Sequence, residues 1–161
     1  MKTLIIFRHG KSAWDNPDLV DFDRPLNERG KKNTKEMGLF ILKKSGKPEM
    51  ILSSAAKRAV DTAKIAAENM NYAVQGIKVD ANLYHASVHA ILKSVAEIPN
   101  DISHCMLVGH NPGLTNLINY FGFQLYNLPT ASAVCFNFNT EKWHEISPDA
   151  SFQWLQLAKE L

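Results

Sequence analysis

The sequence TLIIFRHG, residues 3–10, decides the fold class of this chain. Its first five residues are an uninterrupted run of apolar and β-branched side chains, which is typical of a strand buried on both faces. The polar residues Arg8, His9 and Gly10 follow at once. Chemistry in parallel α/β sheets is found at the carboxyl ends of the strands, so this tripeptide marks the first candidate site.

Outward from this segment, short apolar runs alternate with stretches of helical periodicity. The spacing predicts further strands at residues 50–52, 76–79 and 105–108, and helices at 28–44, 55–70, 88–95 and 114–121. Ser53 and Ser54 are predicted to cap the second helix, and residues 134–138 and 143–146 to form a terminal hairpin. We therefore expect one domain over residues 1–161, an α/β three-layer sandwich with a mostly parallel central sheet and one antiparallel edge.

Composition and charge exclude several classes of protein. The 161 residues are 45% hydrophobic and 21% charged, with 8 Gly and 7 Pro, which excludes collagen-like, disulfide-scaffold and low-complexity chains. The net charge of +2 argues against nucleic acid or an anionic membrane as a partner. No run approaches the roughly 18 apolar residues of a membrane span, and no signal-peptide pattern begins the chain, so we expect a cytoplasmic protein with Cys105 and Cys135 as buried thiols.

Polar residues follow three of the predicted strands. Arg8 and His9 follow the first, Arg58 lies one turn into the helix after the second, and His110 follows the strand at 105–108. The carboxyl ends of parallel strands line one crevice, so we expect these four side chains to converge. Arginine is a rigid fork that matches phosphate oxygens, and the sequence therefore predicts a phosphate pocket.

Two histidines beside two arginines can transfer a phosphoryl group without a metal ion. A neutral imidazole is a nucleophile toward phosphorus, because neighbouring guanidinium groups disperse the charge on the phosphoryl oxygens and oppose protonation of the ring. The second imidazole, if protonated, can donate to the same oxygens. We therefore expect that no metal is required. His85 and His89 have the spacing of a zinc pair, but Ala86 stands where metalloproteases carry their glutamate.

These motifs resemble those of the histidine phosphatase superfamily. They are RHG at 8–10, SSAAKRAVDTA at 53–63 and GHNP at 109–112. The stretches RHGKSAW at 8–14, DRPLNERG at 23–30, LYHA at 83–86 and LPTA at 128–131 resemble the short, SixA-like phosphohistidine phosphatase branch. The resemblance covers essentially the whole chain and implies a phosphoglycerate-mutase-like fold.

The resemblance also implies roles for five residues. His9 would be the catalytic nucleophile, and Arg8, Arg58 and His110 would complete a catalytic and phosphate-binding pocket in which Gly10 lets the backbone approach the substrate. The phosphoryl group would pass to His9 and then to water, without a cofactor. The implied substrate is phosphohistidine on a protein such as a histidine-containing phosphocarrier, or a related phosphoramidate.

The general acid departs from the superfamily pattern. Many members carry Glu or Asp soon after a Leu in the middle of the chain, whereas Leu83 and Tyr84 are followed here by His85. A histidine can act as an acid at neutral pH, and an imidazole leaving group needs less proton assistance than an alkoxide. We predict His85 as the general acid, and phosphohistidine rather than sugar or glycerate esters as the substrate.

Two other functions stay open at this point. One is a small-molecule phosphomonoesterase of the same superfamily, and the other is a phosphate-binding interaction module without turnover. Only one modest helix is predicted between Tyr72 and Ile102, so there is little room for a capping insertion and we expect an open site that suits a protein-borne substrate. In the loop at 11–27 we expect Trp14 to wall the site or anchor the loop, and ion pairs among Asp15, Asp23, Arg24 and Arg29.

Overall fold

The computed structural model describes all 161 residues, and its centre is a six-stranded sheet. The strands are β1 (Lys2–Arg8), β2 (Met50–Ser54), β3 (Lys78–Asp80), β4 (His104–Gly109), β5 (Ala133–Phe138) and β6 (Ala150–Gln156). The helices are α1 (Glu28–Ser45), α2 (Lys57–Asn69), α3 (Val88–Ala96) and α4 (Gly113–Tyr120). Every helix predicted from periodicity is present, so the predicted α/β class is confirmed.

The sheet has the order β3-β2-β4-β1-β5-β6. β1, β2, β3 and β4 pair in parallel, whereas β5 is antiparallel to both β1 and β6. β6 therefore runs in the same direction as β1. The expected antiparallel edge is present, because the edge strand β6 pairs antiparallel with β5, and the single reversed strand is the second from the edge.

Helices cover both faces of the sheet, as a three-layer sandwich requires. Leu4 and Ile6 of β1 pack in a core with α3 and α4, whereas Ile5 and Phe7 pack in a second core with α1 and α2. Successive side chains of a strand point to opposite faces, so a strand covered on both sides must be apolar at every position. This explains why the run at residues 3–7 does not alternate.

The terminal hairpin differs from its prediction. β5 pairs with Ala150–Gln156, while Trp143–Glu145 forms a 3-10 turn between the two strands. The indole of Trp143 is fully buried and donates to the carbonyl of Ile102, 2.8 Å away. Trp143 thus packs against the core beside the sheet instead of extending it, and the partner strand begins only after Pro148.

The predicted cap of the second helix is also wrong. Ser53 and Ser54 are the last residues of β2, and the N-cap position of α2 is Ala56, which has no side-chain acceptor. The hydroxyl of Ser54 accepts the N–H of Ala56 at 3.3 Å and also contacts a histidine at the sheet edge. Its position at the end of the strand places it beside that histidine rather than at a helix cap.

Both thiols are buried, as expected, and burial raises the pKa of Cys105 to about 12 and that of Cys135 to about 11. None of the helices has the length and apolar character needed to cross a bilayer.

Candidate active site

The sheet register brings the two candidate catalytic histidines together. β1 and β4 are parallel neighbours in which Arg8 lies opposite Gly109. The next residue of each strand, His9 and His110, therefore leaves the sheet at the same edge. Their ring centroids are 5.1 Å apart, so the predicted convergence of the strand ends is what the structure shows.

The hydrogen bonds of His9 identify its reactive nitrogen. Nδ1 lies 2.7 Å from the backbone carbonyl oxygen of Gly10. A carbonyl can only accept, so Nδ1 carries the hydrogen and Nε2 carries the lone pair. Arg58 Nε donates toward Nε2 over 3.4 Å. The ring is thus held in the tautomer that a nucleophilic Nε2 requires.

Burial keeps His9 uncharged. Only 6% of the residue is exposed. Burial is the largest cause that lowers the pKa of His9 to about 4, and the guanidinium groups of Arg58 and Arg8 act in the same direction against the Gly10 carbonyl and Asp21. The lone pair of Nε2 is therefore available at neutral pH.

Two guanidinium groups lie close together in this cleft. Arg58, in the first turn of α2, is almost fully buried, and Arg8 donates from Nη1 to the carbonyl of Leu128 at 3.0 Å. Burial and the charge of Arg58 lower the pKa of Arg8, yet Arg8 stays cationic because guanidinium titrates so far above neutrality. A buried and a half-buried guanidinium side by side favour an anionic ligand such as phosphate.

His110, at the same edge of the sheet, is also kept uncharged. Burial, followed by His9, Arg58 and His85, lowers the pKa of His110 to about 3. Ser54 Oγ lies 2.7 Å from Nε2 and already accepts the Ala56 N–H, so its own hydrogen is free for Nε2. Nδ1 then carries the ring hydrogen, and this nitrogen is buried without a hydrogen-bond partner in the protein.

Gly10 has a different role from the one that the resemblance implies. Its N–H donates to Thr62 Oγ1 at 3.0 Å, which leaves it no hydrogen for a substrate oxygen, and its carbonyl orients His9. A Cβ at this position would lie 2.8 Å from the carbonyl oxygen of Gly30 in α1. The residue must be glycine because the strand end and the helix approach so closely.

His85 lies in the same cleft as the four predicted catalytic residues. Its ring centroid is 5.9 Å from that of His110 and 4.0 Å from that of Tyr84, and 58% of its side chain is exposed. A group at the mouth of the cleft can reach the leaving group of a bound substrate and exchange protons with water. The structure therefore brings the predicted acid to the site.

Sequence reasoning missed Asp21, which lies in the loop between β1 and α1. Its Oδ2 accepts from Arg58 Nη2 at 3.0 Å and from the hydroxyl of Tyr84, and its backbone carbonyl accepts from Arg58 Nη1 at 2.7 Å. His85 Nε2 is 3.6 Å from the same carboxylate oxygen. The loop contains four aspartates, and no pattern within it shows which one faces the cleft.

The ion pairs expected elsewhere in the loop are absent. Asp15, Asp23, Arg24 and Arg29 take part in none of the salt bridges of the structure. The guanidinium of Arg24 instead stacks on the exposed ring of Trp14, 3.7 Å from its centroid. Trp14 lines one side of the cleft, as expected for a wall.

The cleft has a volume of about 200 Å³ and contains both histidines, both arginines, Asp21 and His85. A larger groove of about 570 Å³ adjoins it across Lys11, Ser12 and Trp14 but contains no histidine. The smaller cleft is the candidate active site, since it is the one in which the predicted nucleophile and the cations meet.

A comparison with known families agrees with this geometry. The model of the histidine phosphatase superfamily, branch 1, matches residues 4–91. The chain belongs to this superfamily. The matched part contains His9, Arg58 and His85, whereas His110 lies beyond it and is placed in the site by the register of β1 and β4.

Two known proteins are similar to this chain over very different lengths. An uncharacterised chloroplastic protein of Arabidopsis thaliana is 29% identical over 157 residues, which are 89% of this chain and 70% of that protein. A 2,3-bisphosphoglycerate-dependent phosphoglycerate mutase of Bifidobacterium longum is 35% identical over 65 residues, 39% of this chain and only 26% of the mutase. The similarity to mutases is thus local.

Solved structures of the superfamily share the fold. A candidate phosphohistidine phosphatase SixA from Agrobacterium tumefaciens is 28% identical, with a TM-score of 0.74 over 84% of this chain and 91% of that one. The protein histidine phosphatase SixA in complex with tungstate superposes with a TM-score of 0.83 over 98% of both chains, at 18% identity. The fold is therefore that of phosphoglycerate-mutase-like histidine phosphatases.

Proposed function

We propose that this protein is a phosphohydrolase that removes the phosphoryl group of phosphohistidine on a protein, through a phosphorylated His9 and without a metal. The observation that carries the proposal is the state of His9. Its Nδ1 hydrogen is held by the Gly10 carbonyl, its ring is kept neutral, and its Nε2 lies among two guanidinium groups and a second imidazole.

The first step is transfer of the phosphoryl group to His9. Nε2 attacks phosphorus, the bond from phosphorus to the leaving group breaks, and that electron pair departs with the leaving group. Arg8, Arg58 and His110 line the cleft and would stabilise the phosphoryl oxygens as their charge changes. Hydrogen bonds to Leu128 and Asp21 hold the two guanidinium groups before a substrate binds, so little reorganisation of these groups is needed during the reaction.

The second step regenerates the enzyme. A water molecule attacks the phosphorus of phospho-His9, the bond between phosphorus and Nε2 breaks, and the electron pair returns to Nε2. Inorganic phosphate leaves. The hydrogen bond from Nδ1 to the Gly10 carbonyl favours this departure, because the ring leaves as a neutral imidazole with its hydrogen already in place.

The substrate class follows from the rim of the cleft. His85 and Trp14 are exposed at the mouth, so a phosphorylated side chain on another protein could enter without a lid. No carboxylic acid follows Leu83 to protonate an alkoxide, whereas an imidazole leaving group needs less assistance. A histidine-containing phosphocarrier is the partner that fits, and the SixA-named structural neighbours support this choice.

A small-molecule phosphomonoesterase is the second candidate. The observation that favours it is the 35% identity over 65 residues to a 2,3-bisphosphoglycerate-dependent phosphoglycerate mutase, an enzyme named for small phosphorylated metabolites. Against it stands the lack of a carboxylic acid after Leu83.

The test is turnover in the presence of EDTA. A phosphohistidine-bearing carrier protein and an aryl phosphate ester are each incubated with the wild type, with His9→Ala and with the control His144→Ala, whose side chain is exposed on the 3-10 turn of Trp143–Glu145. We expect loss of phosphate from the carrier with the wild type and His144→Ala, and none with His9→Ala.

Other outcomes would contradict the proposal. Turnover of the ester alone would favour the small-molecule phosphatase, and turnover that EDTA abolishes would contradict the metal-independent mechanism. A wild type that binds phosphate as tightly as His9→Ala but turns over neither substrate would be an interaction module.

A further inference from the structure

Asp21 is the only carboxylate that lines the catalytic cleft. Its side chain is 43% exposed, and all its recorded contacts are made by Oδ2, which leaves Oδ1 free to accept a hydrogen bond. The hydrogen bond from Tyr84 and the charge of Arg58 lower the pKa of Asp21, so the group is an anion at neutral pH.

This carboxylate occupies the part of the cleft where the sequence pattern lacks an acid. Tyr84 and His85 belong to the segment in which many superfamily members carry Glu or Asp, and both contact Asp21. The carboxylate thus reaches that place from the loop before α1, 63 residues away from Tyr84 in the sequence. Hydrogen bonds from Tyr84 and Arg58 hold it there.

The charges of the cleft form a pattern rather than a uniform positive field. Two guanidinium groups lie beside His9, and one anion lies between Arg58 and His85. An aryl or alkyl phosphate places its two negative charges on the arginines but offers nothing positive to Asp21. A phosphohistidine whose second ring nitrogen is protonated carries a negative phosphoryl group, which matches the arginines, and a positive ring, which matches Asp21.

We infer that Asp21 is a specificity-determining residue that selects phosphoramidates with a protonated nitrogen heterocycle as the leaving group. The inference rests on the proposed function, since it names the part of the site that recognises the leaving group of that reaction. The free Oδ1 accepts the N–H of the leaving imidazole. An ester has no such hydrogen, and it carries no positive charge that could offset the repulsion between its phosphoryl group and this carboxylate.

The chemistry of the step supports this assignment. When His9 Nε2 attacks, the bond between phosphorus and the leaving nitrogen breaks and its electron pair stays on that nitrogen. A ring that entered with a hydrogen on its other nitrogen leaves as neutral imidazole, so no further proton is needed. Asp21 favours the protonated form of the bound substrate, which is the form with the better leaving group.

A purely structural role for Asp21 would have a different signature. The carboxylate also holds Arg58, and loss of that support would weaken phosphoryl binding for every substrate equally. A role in leaving-group selection changes the ratio of the specificity constants for two substrates. The test therefore compares phosphoimidazole with 4-nitrophenyl phosphate, which share the phosphoryl group and differ in the leaving group.

The variant is Asp21→Asn, which keeps the size of the side chain and an oxygen that can accept from Arg58 and Tyr84. We expect the ratio of kcat/KM for phosphoimidazole to kcat/KM for 4-nitrophenyl phosphate to fall about tenfold or more. Asp23→Asn is the matched control, because it removes the same charge from an exposed position two residues away, and its ratio should equal that of the wild type.

Each outcome has a distinct meaning. An equal loss for both substrates in Asp21→Asn, or no change for either, would overturn the inference and leave the proposed function standing. A wild type that does not hydrolyse phosphoimidazole at all would contradict the proposed function itself. Circular dichroism and thermal unfolding of Asp21→Asn establish that the comparison is made between folded proteins.

Discussion

At the scale of single residues, burial decides the protonation of the two histidines of the candidate site. His9 and His110 lie within one cleft with two cations, and the largest cause that lowers each pKa is the loss of water around the ring. Neutral imidazole is what a nucleophile at His9 needs. The neighbouring guanidinium groups act in the same direction and also bind the anion.

A titration of the histidine rings tests this interpretation. We expect the ring of His9 to become protonated with a midpoint of about 4, well below the ordinary 6.5, because the charged form is poorly solvated in the cleft. Chemical shifts of ¹³C-labelled imidazole between pH 3 and 8 measure it, with His9→Gln to assign the signal. A midpoint near 6.5 would show that the ring is solvated.

Arg58 acts through its shape as well as its charge. Its Nε faces His9 Nε2 while Nη1 and Nη2 are held by Asp21, an arrangement that an ammonium cannot reproduce. We expect Arg58→Lys to lower kcat/KM for an aryl phosphate by about 10²–10³-fold. Lys57→Arg, one residue earlier and exposed, is the control and should retain wild-type kinetics; comparable activity of both variants would mean that only charge matters.

His85 is tested through the leaving group. If it is the general acid, His85→Ala lowers hydrolysis of an alkyl phosphate by about 10²-fold or more, since an alkoxide must be protonated as it leaves. The loss for an aryl phosphate should be much smaller, because a phenolate is a stable anion. Steady-state kinetics with both esters decide the matter, and equal losses would remove His85 from this role.

At the scale of elements, the junction of β1 and α1 positions His9, the proposed nucleophile. Gly10 at the strand end and Gly30 in the first turns of α1 lie in contact, and an added Cβ at Gly30 would be 2.2 Å from the backbone oxygen of Lys11. Thr62 of α2 holds the Gly10 amide from the other side. His9 is oriented by this packing, which involves two helices and one strand.

This packing predicts whether replacing Gly30 with alanine raises or lowers the stability of the protein. Alanine is ordinarily the better helix former by up to about 1 kcal/mol, but at Gly30 it meets backbone atoms that cannot move aside. We expect Gly30→Ala to lower the free energy of unfolding by about 1–3 kcal/mol, measured by guanidinium chloride denaturation.

Gly76→Ala is the control for Gly30→Ala. Its nearest atom beyond chain neighbours is the ring of Tyr72 at 3.4 Å, an ordinary contact, so its stability should stay within about 0.5 kcal/mol of the wild type. An equal stability of the two variants would show that the junction is looser than the structure indicates.

At the scale of the whole molecule, the buried histidines make folding sensitive to acid. Between about pH 6.5 and pH 4 the unfolded chain binds protons at His9 and His110 that the folded protein does not. The unfolded state binds more protons in this window, so stability rises with pH and is lost as the pH falls. Asp21, whose pKa is already low, contributes only below this range.

Urea denaturation at pH 7 and pH 4.5 measures the effect. We expect the urea concentration at the midpoint of unfolding to be lower at pH 4.5 than at pH 7 for the wild type. The decrease should be smaller for His110→Gln, which has no ring to protonate. His144→Gln removes an exposed imidazole, and its midpoint should decrease by as much as that of the wild type. Identical falls in all three proteins would mean that other groups dominate the acid response.

Local patterns determined the fold class and most of the site. The continuous apolar run before Arg8 and the helical spacing of the segments that follow depend on residues close in the chain, so periodicity identified β1, the other parallel strands and all four helices. His9, Arg58 and His110 were identified from their motifs, and the parallel sheet explains why strand ends 100 residues apart meet.

Only the tertiary structure decided the remaining features, because they depend on contacts between distant segments. The place of β5 within the sheet, the choice of Ala150–Gln156 as its partner and the burial of Trp143 each depend on long-range packing. Asp21 is joined to Arg58 across 37 residues. Nothing within its own loop distinguishes it from three other aspartates, since a carboxylate acquires its role from the groups that fold around it.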